Sequence, residues 1–305
     1  MNYILSKDEM QHLFSRISRR YEVYGAVERD GEVVFERVND FGIVSQKKSR
    51  YAPKEFLIER GENVLATVPQ ERKAVFGIKS CDLKGFYIMD KQILGKDPFY
   101  TARRENTLFV NYVCNEPCNG GFCTTFGGPV LSDFQIQVLK DQEGYHVMVS
   151  KEFDHYFRDF RRDESRAFEE ITEKFMREMK PLPVEGIESR MKWDSKLWKE
   201  FSSKCISCGA CNYSCPTCYC FDIYDEGEER KREWDSCILS GFTRTSAGNV
   251  RPDLSDRLRQ RFYHKFSYYK KAKGEYLCTG CNRCVDDCPV SIDIKEVITH
   301  DYLNE

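Results

Sequence analysis

Residues 7–20 are predicted to form an amphipathic helix, with Ser6 available as its N-cap. The apolar positions that share one face of this helix are Met10, Leu13, Phe14 and Ile17. Residues 21–28 and 32–38 predict a hairpin around the turn residues 29–31. The chain therefore opens with one helix and one pair of antiparallel strands.

Short apolar runs farther along the chain predict buried strands. Residues 74–78 and 107–113 are two such runs, and a helical pattern lies between them at 83–94. A second hairpin is predicted for 134–140 and 145–150. The first half is therefore predicted to be a mixed α/β domain within an α+β chain.

A linker is predicted near the middle of the chain. The pattern from 154 to 180 is helical and heavily charged, and it ends at the segment 181–183, which contains two prolines. Gly186 follows soon after, and both residue types interrupt regular structure. We therefore predict an α+β domain at 1–185 and a second domain at 186–305.

The second half is predicted to be mostly α-helical. A helix is expected around 195–201, and a longer one is expected over 253–271. The apolar residues of the longer helix recur every four positions, at Leu254, Leu258, Phe262 and Phe266. Its outer faces are predicted to carry cations on a solvated or partner-facing surface, where they also offset the charge of bound clusters. These cations are Arg251, Arg257, Arg259, Arg261, Lys265, Lys270, Lys271 and Lys273.

Composition excludes several classes of protein. Of the 305 residues, 41% are hydrophobic and 31% charged, which is typical of a globular chain and excludes a disordered or fibrous one. Lys and Arg number 47 against 49 Asp and Glu, so no overall field favours nucleic acid or a membrane surface. No apolar stretch reaches the roughly 18 residues that span a bilayer. We therefore predict a cytoplasmic protein with no nucleic-acid partner and no membrane partner.

The chain contains 15 cysteines. Because disulfides rarely persist in a reducing compartment, so many thiols indicate metal binding or redox chemistry. Eight of them form two copies of the spacing C-x2-C-x2-C-x3-C-P, which binds a [4Fe-4S] cluster. The first copy is Cys205, Cys208, Cys211, Cys215 and Pro216; the second is Cys278, Cys281, Cys284, Cys288 and Pro289. A pair of zinc knuckles is the alternative, but zinc sites commonly use two separated thiol pairs.

The fourth cysteine of each motif is predicted to cross to the other cluster, as it does in two-cluster ferredoxins. The first cluster would then be held by Cys205, Cys208, Cys211 and Cys288. The second cluster would be held by Cys278, Cys281, Cys284 and Cys215. The proline after each fourth cysteine fixes its own φ and turns the chain out of the loop.

Four further thiols lie in the first half, and four is the number that a [4Fe-4S] cluster needs. They are Cys81, Cys114, Cys118 and Cys123. Nearby glycines would allow backbone amides to approach the sulfurs. The pattern favours a third [4Fe-4S] cluster, with buried free thiols or a zinc site as alternatives.

The last three thiols, Cys218, Cys220 and Cys237, are interpreted as structural, although they could compete with Cys215 or lie beside a cluster. The chain has no G-x-G-x-x-G fingerprint, no Walker loop and no H-E-x-x-H motif. Flavin and nicotinamide chemistry is therefore expected to come from another chain.

Several segments resemble one known family. The segments 205–222, 234–237 and 278–294, with the Arg-rich sequence between them, resemble the α-helical dicluster ferredoxin domain that the sulfhydrogenase β subunit shares with its counterpart in anaerobic sulfite reductase. In the first half, 76–82, 97–100 and 114–129 resemble the N-terminal portion of the same family. That family often has Cys-Phe-Cys where this chain has Gly121, Phe122 and Cys123, which leaves the ligands of an N-terminal cluster open.

The resemblance implies an electron-transfer subunit without substrate turnover of its own. Its partners would be a flavin subunit that handles NAD(P)H and a hydrogenase or sulfite reductase module. Two alternatives stay open from the residues. One is an enzyme whose N-terminal half binds a substrate or flavin, and the other is a redox-sensing regulator that binds nucleic acid through the basic helix.

Overall fold

A computed structural model of the protein describes residues 1–302. Its main feature is a seven-stranded mixed sheet with the strand order β1-β8-β7-β6-β5-β2-β3. The strands in chain order are β1 (Asn2–Leu5), β2 (Glu22–Arg29), β3 (Glu32–Arg37), β4 (Glu62–Asn63), β5 (Lys73–Lys79), β6 (Thr107–Tyr112), β7 (Ile136–Lys140), β8 (Tyr145–Val149), β9 (Phe221–Glu226), β10 (Glu229–Trp234), β11 (Arg244–Thr245) and β12 (Gly248–Asn249).

Eleven α-helical segments occur in residues 1–302. They are α1 (Lys7–Ser18), α2 (Ser80–Ile93), α3 (Pro98–Asn106), α4 (Ala167–Glu178), α5 (Ile187–Arg190), α6 (Leu197–Lys204), α7 (Ala210–Tyr213), α8 (Leu254–Tyr263), α9 (Tyr269–Lys273), α10 (Arg283–Asp286) and α11 (Ile294–Thr299). A π-helical segment, His264–Tyr268, joins α8 to α9, so that one long helix runs from Leu254 to Lys273.

The centre of the large sheet is parallel and its edges are antiparallel. Strands β2, β5, β6 and β7 run parallel to one another, whereas β3, β8 and β1 each pair antiparallel with the adjacent strand. The register between β5 and β6 shifts at Gly77, which has a φ of +87°. A Cβ at Gly77 would lie 2.8 Å from the Cβ of Ala26, so glycine is required by both conformation and space.

The structure confirms most elements predicted in the first half. Ser6 caps α1 with a capping box, and the four predicted apolar residues of α1 are all buried. Both hairpins form, as β2–β3 and β7–β8, and the two buried strands are β5 and β6 with α2 between them. The mixed α/β character of the protein is therefore shown.

One predicted helix is shorter than expected, and two strands were not predicted. The helix expected over 154–180 is confined to α4, because Arg162 forms a bridge with Tyr3 beside β1 and the chain around it is irregular. Strands β9 and β10 were not predicted, because their sequences consist mostly of charged residues instead of alternating apolar ones.

Two separate apolar cores serve the two halves. The sheet core packs α1 against the large sheet and includes Phe14 and Phe76, whose ring centroids lie 5.3 Å apart. The cavity core packs α6, α8 and α11 around the cysteine motifs and includes Trp198, Phe262 and Phe266. Each core follows from the helical periodicity of its own segment.

The two halves are joined by more than a linker. Strand β4 from the first half pairs with β10, and β10 pairs with β9, giving a second sheet of three strands. Phe122 and Phe126 also contribute to the cavity core. The division into 1–185 and 186–305 stays a prediction, and its last residues, 303–305, lie outside the described part of the chain.

The long helix departs from its prediction in the placement of its cations. Its apolar stripe is buried as expected, at Leu258, Phe262 and Phe266. However, Arg261 is only 3% exposed and Lys265 only 1% exposed, and Arg257 is also buried. The assignment of these three residues to the outer faces is therefore wrong. They recur every four positions beside the apolar stripe, so the helix face that buries the apolar residues also buries these three cations.

Candidate metal centres

The two cysteine motifs adopt the same backbone path. Ser207 and Gly209 in the first motif have φ values of +57° and +76°. The corresponding residues of the second motif, Gly280 and Asn282, have φ values of +68° and +65°. A short helix begins at the next residue in each case, α7 in the first and α10 in the second. These left-handed residues turn each loop back so that its first three cysteines line a common cavity.

The first cavity is lined by all four thiols that were predicted to hold the first cluster. They are Cys205, Cys208, Cys211 and Cys288, and Cys284 reaches the same wall. Backbone amides approach two of the sulfurs: Ser207 N donates to Cys205 Sγ over 3.4 Å, and Ile292 N donates to Cys288 Sγ over 3.3 Å. Amide donors of this kind orient metal ligands and tune the metal that they bind.

The second cavity is lined by all four thiols that were predicted to hold the second cluster. They are Cys215, Cys278, Cys281 and Cys284. Since Cys284 also lines the first cavity, the two cavities share part of one wall. The structure thus brings together each predicted set of four, including the crossing of Cys215 and Cys288, and the assignment as ligands stays a prediction.

Burial makes these thiols hard to ionise without a compensating positive charge. It raises the pKa of Cys211 to about 11 and the pKa of Cys278 to about 12. The pKa of Cys215 is lowered instead, chiefly by its contact with Cys218 and further by Lys265. Because metals bind the thiolate, the iron ions of a bound cluster would have to displace the protons of these thiols.

Three buried cations supply positive charge around the cavities. Lys265 Nζ donates to Cys215 Sγ over 3.3 Å, and Arg261 Nε donates to Asn212 Oδ1 over 2.9 Å. Lys54 Nζ donates to the carbonyl oxygens of Asn212 and Cys218. Throughout residues 1–302, the hydrogen-bond partners of these three cations are carbonyl, amide and hydroxyl oxygens and one sulfur, with no carboxylate.

This arrangement fits the group that the motifs predict. A buried cation without a counter-ion is costly, and a cluster with four thiolate ligands carries net negative charge that would balance it. The fit therefore rests on the donor set of each cavity and on the cations beside it. No three His, Cys, Asp or Glu side chains in the described chain are placed to hold a single metal ion.

The four N-terminal thiols are gathered beside the second cavity. The negative charges of Cys114 and Cys118 add to burial in raising the pKa of Cys123 to about 12, and Cys114 acts in the same direction on Cys81. Cys81 Sγ accepts a 3.8 Å contact from Arg283 of the second motif. The four thiols predicted for a third cluster therefore share one neighbourhood.

The N-terminal loop packs directly on the second cysteine motif. Phe122 N donates to the Gly280 carbonyl oxygen over 2.8 Å, and Lys48 Nζ donates to the Cys281 carbonyl oxygen over 2.9 Å. A Cβ at Gly280 would lie 2.5 Å from the carbonyl oxygen of Phe122. This close backbone approach requires glycine at position 280.

Cys218, Cys220 and Cys237 lie near the cavities without lining either of them. Asn212 Nδ2 donates to Cys237 Sγ over 3.1 Å, and the contact with Cys220 outweighs burial and lowers the pKa of Cys237 to about 6. Their interpretation as structural thiols stays a prediction.

Sequence reasoning missed several residues around the cavities. No sequence motif singles out Lys48, Lys54 or Asn212, because only the tertiary fold brings each of them to the site. The burial of Arg261 and Lys265 could have been suspected from their four-residue spacing, which matches that of the adjacent apolar stripe.

Comparisons with known proteins agree with the motifs. Residues 204–292 match the family described as a 4Fe-4S dicluster domain. The sulfhydrogenase 2 subunit beta of Pyrococcus furiosus is 31% identical over 331 residues, covering 98% of this chain and 98% of that protein. The chain belongs to the sulfhydrogenase β-subunit family. No solved structure matches it.

Membership of the sulfhydrogenase β-subunit family indicates an iron-sulfur electron-transfer subunit that works in a multi-subunit complex. The dicluster domain implies [4Fe-4S] clusters. In the described part of the chain, no helix has the length and apolar character needed to cross a bilayer.

Proposed function

We propose that this chain relays electrons between a flavin subunit that handles NAD(P)H and a hydrogenase or sulfite reductase module. The observation that carries the proposal is the pair of four-thiol cavities that share the wall at Cys284. A [4Fe-4S] cluster accepts and releases single electrons when bound at such a site. Two sites with a common wall hold their clusters close enough for transfer from one to the other.

The proposed electron-transfer route has three cluster sites. The first cavity lies nearest the surface, because Cys208 is exposed. The second cavity is deeper, since Cys215, Cys278 and Cys281 are all buried. The N-terminal thiols lie beside the second cysteine motif, against Gly280 and Arg283. We propose a third [4Fe-4S] cluster on Cys81, Cys114, Cys118 and Cys123, which would extend the route.

The deciding experiment is iron and acid-labile sulfide per chain, measured on protein purified without oxygen. Three clusters give about twelve irons per chain and two give about eight. A Cys118→Ser variant should lower the iron content by about four if the third cluster exists. The matched control is Cys220→Ser, which should keep the full iron content.

The relay role predicts no turnover by the isolated chain. Chain with intact clusters should accept electrons from a chemical reductant and should neither oxidise NADPH nor reduce sulfite by itself. Either activity in the pure chain would contradict the proposal.

A second candidate function is favoured by one groove. An aromatic-lined groove of about 450 Å³ runs between β2, β3 and the turn that contains Phe56, and its aromatic residues are Tyr24, Phe35, Tyr51, Phe56 and Trp234. This volume is within the range of small-molecule sites. Trp234 also contacts Lys54, whose Nζ lies 4.4 Å from the ring centroid, and Lys54 Nζ donates to the backbone carbonyl oxygen of Cys218. The groove could therefore hold a planar redox molecule near the clusters.

This candidate is separated from the first by the optical spectrum of the pure chain. Bound flavin that is lost in a Phe56→Ala variant with unchanged iron content would favour the enzyme. A spectrum with iron-sulfur absorption alone would leave the electron-transfer role.

A further inference from the structure

Two buried cations of one helix line different cavities. Arg261 is in α8 and lines the first cavity, whereas Lys265 is in the following π-helical turn and lines the second. They are four residues apart, so they project from the same side of the helix. One helix thus provides one cation to each candidate centre.

Lys265 is fixed by three acceptors. Its Nζ donates to Cys215 Sγ over 3.3 Å, to Thr217 Oγ1 over 3.1 Å and to the Leu277 carbonyl oxygen over 3.1 Å. An ammonium group has three protons, so all of its donors are used. The three hydrogen bonds therefore hold the side chain beside a proposed ligand of the second cluster.

Arg261 is fixed on the other side of the same wall. Its Nε donates to Asn212 Oδ1 over 2.9 Å, and its Nη2 donates to the Cys211 carbonyl oxygen over 3.2 Å. It touches the backbone of a proposed ligand of the first cluster, while Lys265 touches the sulfur of a proposed ligand of the second. The two cations therefore differ in how directly they act on their clusters.

We propose that Arg261 and Lys265 are positioning residues that set the reduction potentials of the two clusters separately, Arg261 for the first and Lys265 for the second. The inference rests on the proposed function, since it assumes that both cavities hold clusters. Reduction adds one electron, and hence one negative charge, to a cluster. A fixed positive charge in a buried site stabilises that extra charge and raises the potential, and a hydrogen bond to a ligand sulfur acts in the same direction.

The test compares three substitutions on one helix. Lys265→Met and Arg261→Met each remove a charge while keeping an unbranched chain, and Lys271→Met removes an exposed charge of α9 as the matched control. Potentials are measured by redox titration followed by electron paramagnetic resonance. Each signal is assigned to a cluster by its loss in Cys208→Ser or in Cys281→Ser.

We expect each substitution to shift mainly the reduction potential of the cluster beside it. Lys265→Met should make the potential of the second cluster more negative and shift the first much less. Arg261→Met should shift the first more than the second, and Lys271→Met should leave both unchanged. Unchanged potentials in Lys265→Met and Arg261→Met, with full iron content, would overturn the proposal. Equal shifts of both clusters in each variant would overturn the separate assignment.

A second measurement covers the case in which a variant loses its iron. Wild-type protein labelled with [15N]lysine should then show a nitrogen hyperfine coupling on the signal of the reduced second cluster, because Lys265 Nζ donates directly to Cys215 Sγ. Absence of that coupling contradicts the role of Lys265. Failure of the proposed function is distinct, because wild-type protein would then lack the iron and the signals altogether.

Discussion

The sheet core and the cavity core differ in whether they contain buried charge. The sheet core consists of apolar side chains such as Leu13, Phe14 and Val110, all 1% exposed or less. The cavity core combines aromatic residues with four cysteines, one of them fully within the core and three at its edge, and with the cations of the long helix. The first core can be stabilised by burial alone.

Burial of apolar side chains alone does not compensate the charges in the cavity core. Arg261 and Lys265 are buried without carboxylate partners among the described residues, and a lone buried charge is costly. By contrast, the buried Arg283 of the same half forms an ion pair with Asp82 of α2. The comparison predicts that the cavity core depends on bound clusters for its stability, whereas the sheet core does not.

Removing one proposed ligand should have the largest effect. Cys281→Ser should lower iron by about four atoms per chain and destabilise the cavity core, because metal-binding energy is folding energy at such sites. Hydrogen exchange should show lost protection in α8 and α11 with protection retained in β5 and β6. Cys237→Ser is the matched control, and equal loss in the control would argue against the assignment of ligands.

Breaking the buried ion pair should come next. Arg283→Met leaves Asp82, which is fully buried, without its partner and should cost about 3–5 kcal/mol. Thermal unfolding measures the loss. The double variant with Asp82→Leu should recover part of it, and a double variant no better than the single one would mean that the pair is not the cause.

A matched pair of small deletions compares the two cores directly. Ile17→Val in α1 and Ile294→Val in α11 each remove one buried methylene and should each cost about 0.5–1.5 kcal/mol. Only Ile294→Val should also alter the cluster potentials, because Ile294 lines both cavities and the apolar wall governs solvent access. A change of potential in Ile17→Val would weaken the distinction between the cores.

The smallest effect concerns histidine. Burial lowers the pKa of His264 to about 4, and its ring contacts Tyr219 without a carboxylate. The unfolded chain binds this proton more readily, so His264 reduces stability as pH falls from about 6.5 towards 4. Unfolding followed across that range should show a shallower loss in His264→Gln than in the parent, and identical slopes would contradict the prediction.

The elements that local pattern controls could be predicted from the sequence. α1 has a complete capping box and four buried apolar residues at helical spacing, and the turn at 29–31 closes a regular hairpin. The two sets of cysteines that line the cavities were also predicted, since their spacing is fixed within each motif and the crossing follows from known ferredoxins. These features depend on residues that are near one another in the chain.

Features that depend on distant partners were missed. β4 pairs with β10 although about half the chain separates them, and the two residues of β4 have no pattern of their own. The cations of the long helix were placed on its surface because charge predicts exposure when no partner is known. Only the folded chain brings Cys215 Sγ to Lys265 and Asn212 to Arg261.

The composition of the second cavity has a consequence for biogenesis. Its residues come from widely separated parts of the chain, with Phe122 from the first half, Cys215 from the first motif and Ile294 from the last helix. During synthesis on the ribosome, the second cavity is not enclosed until Ile294 has been added to the chain. We therefore expect a cluster at this position to be assembled only after all of these residues have been synthesised.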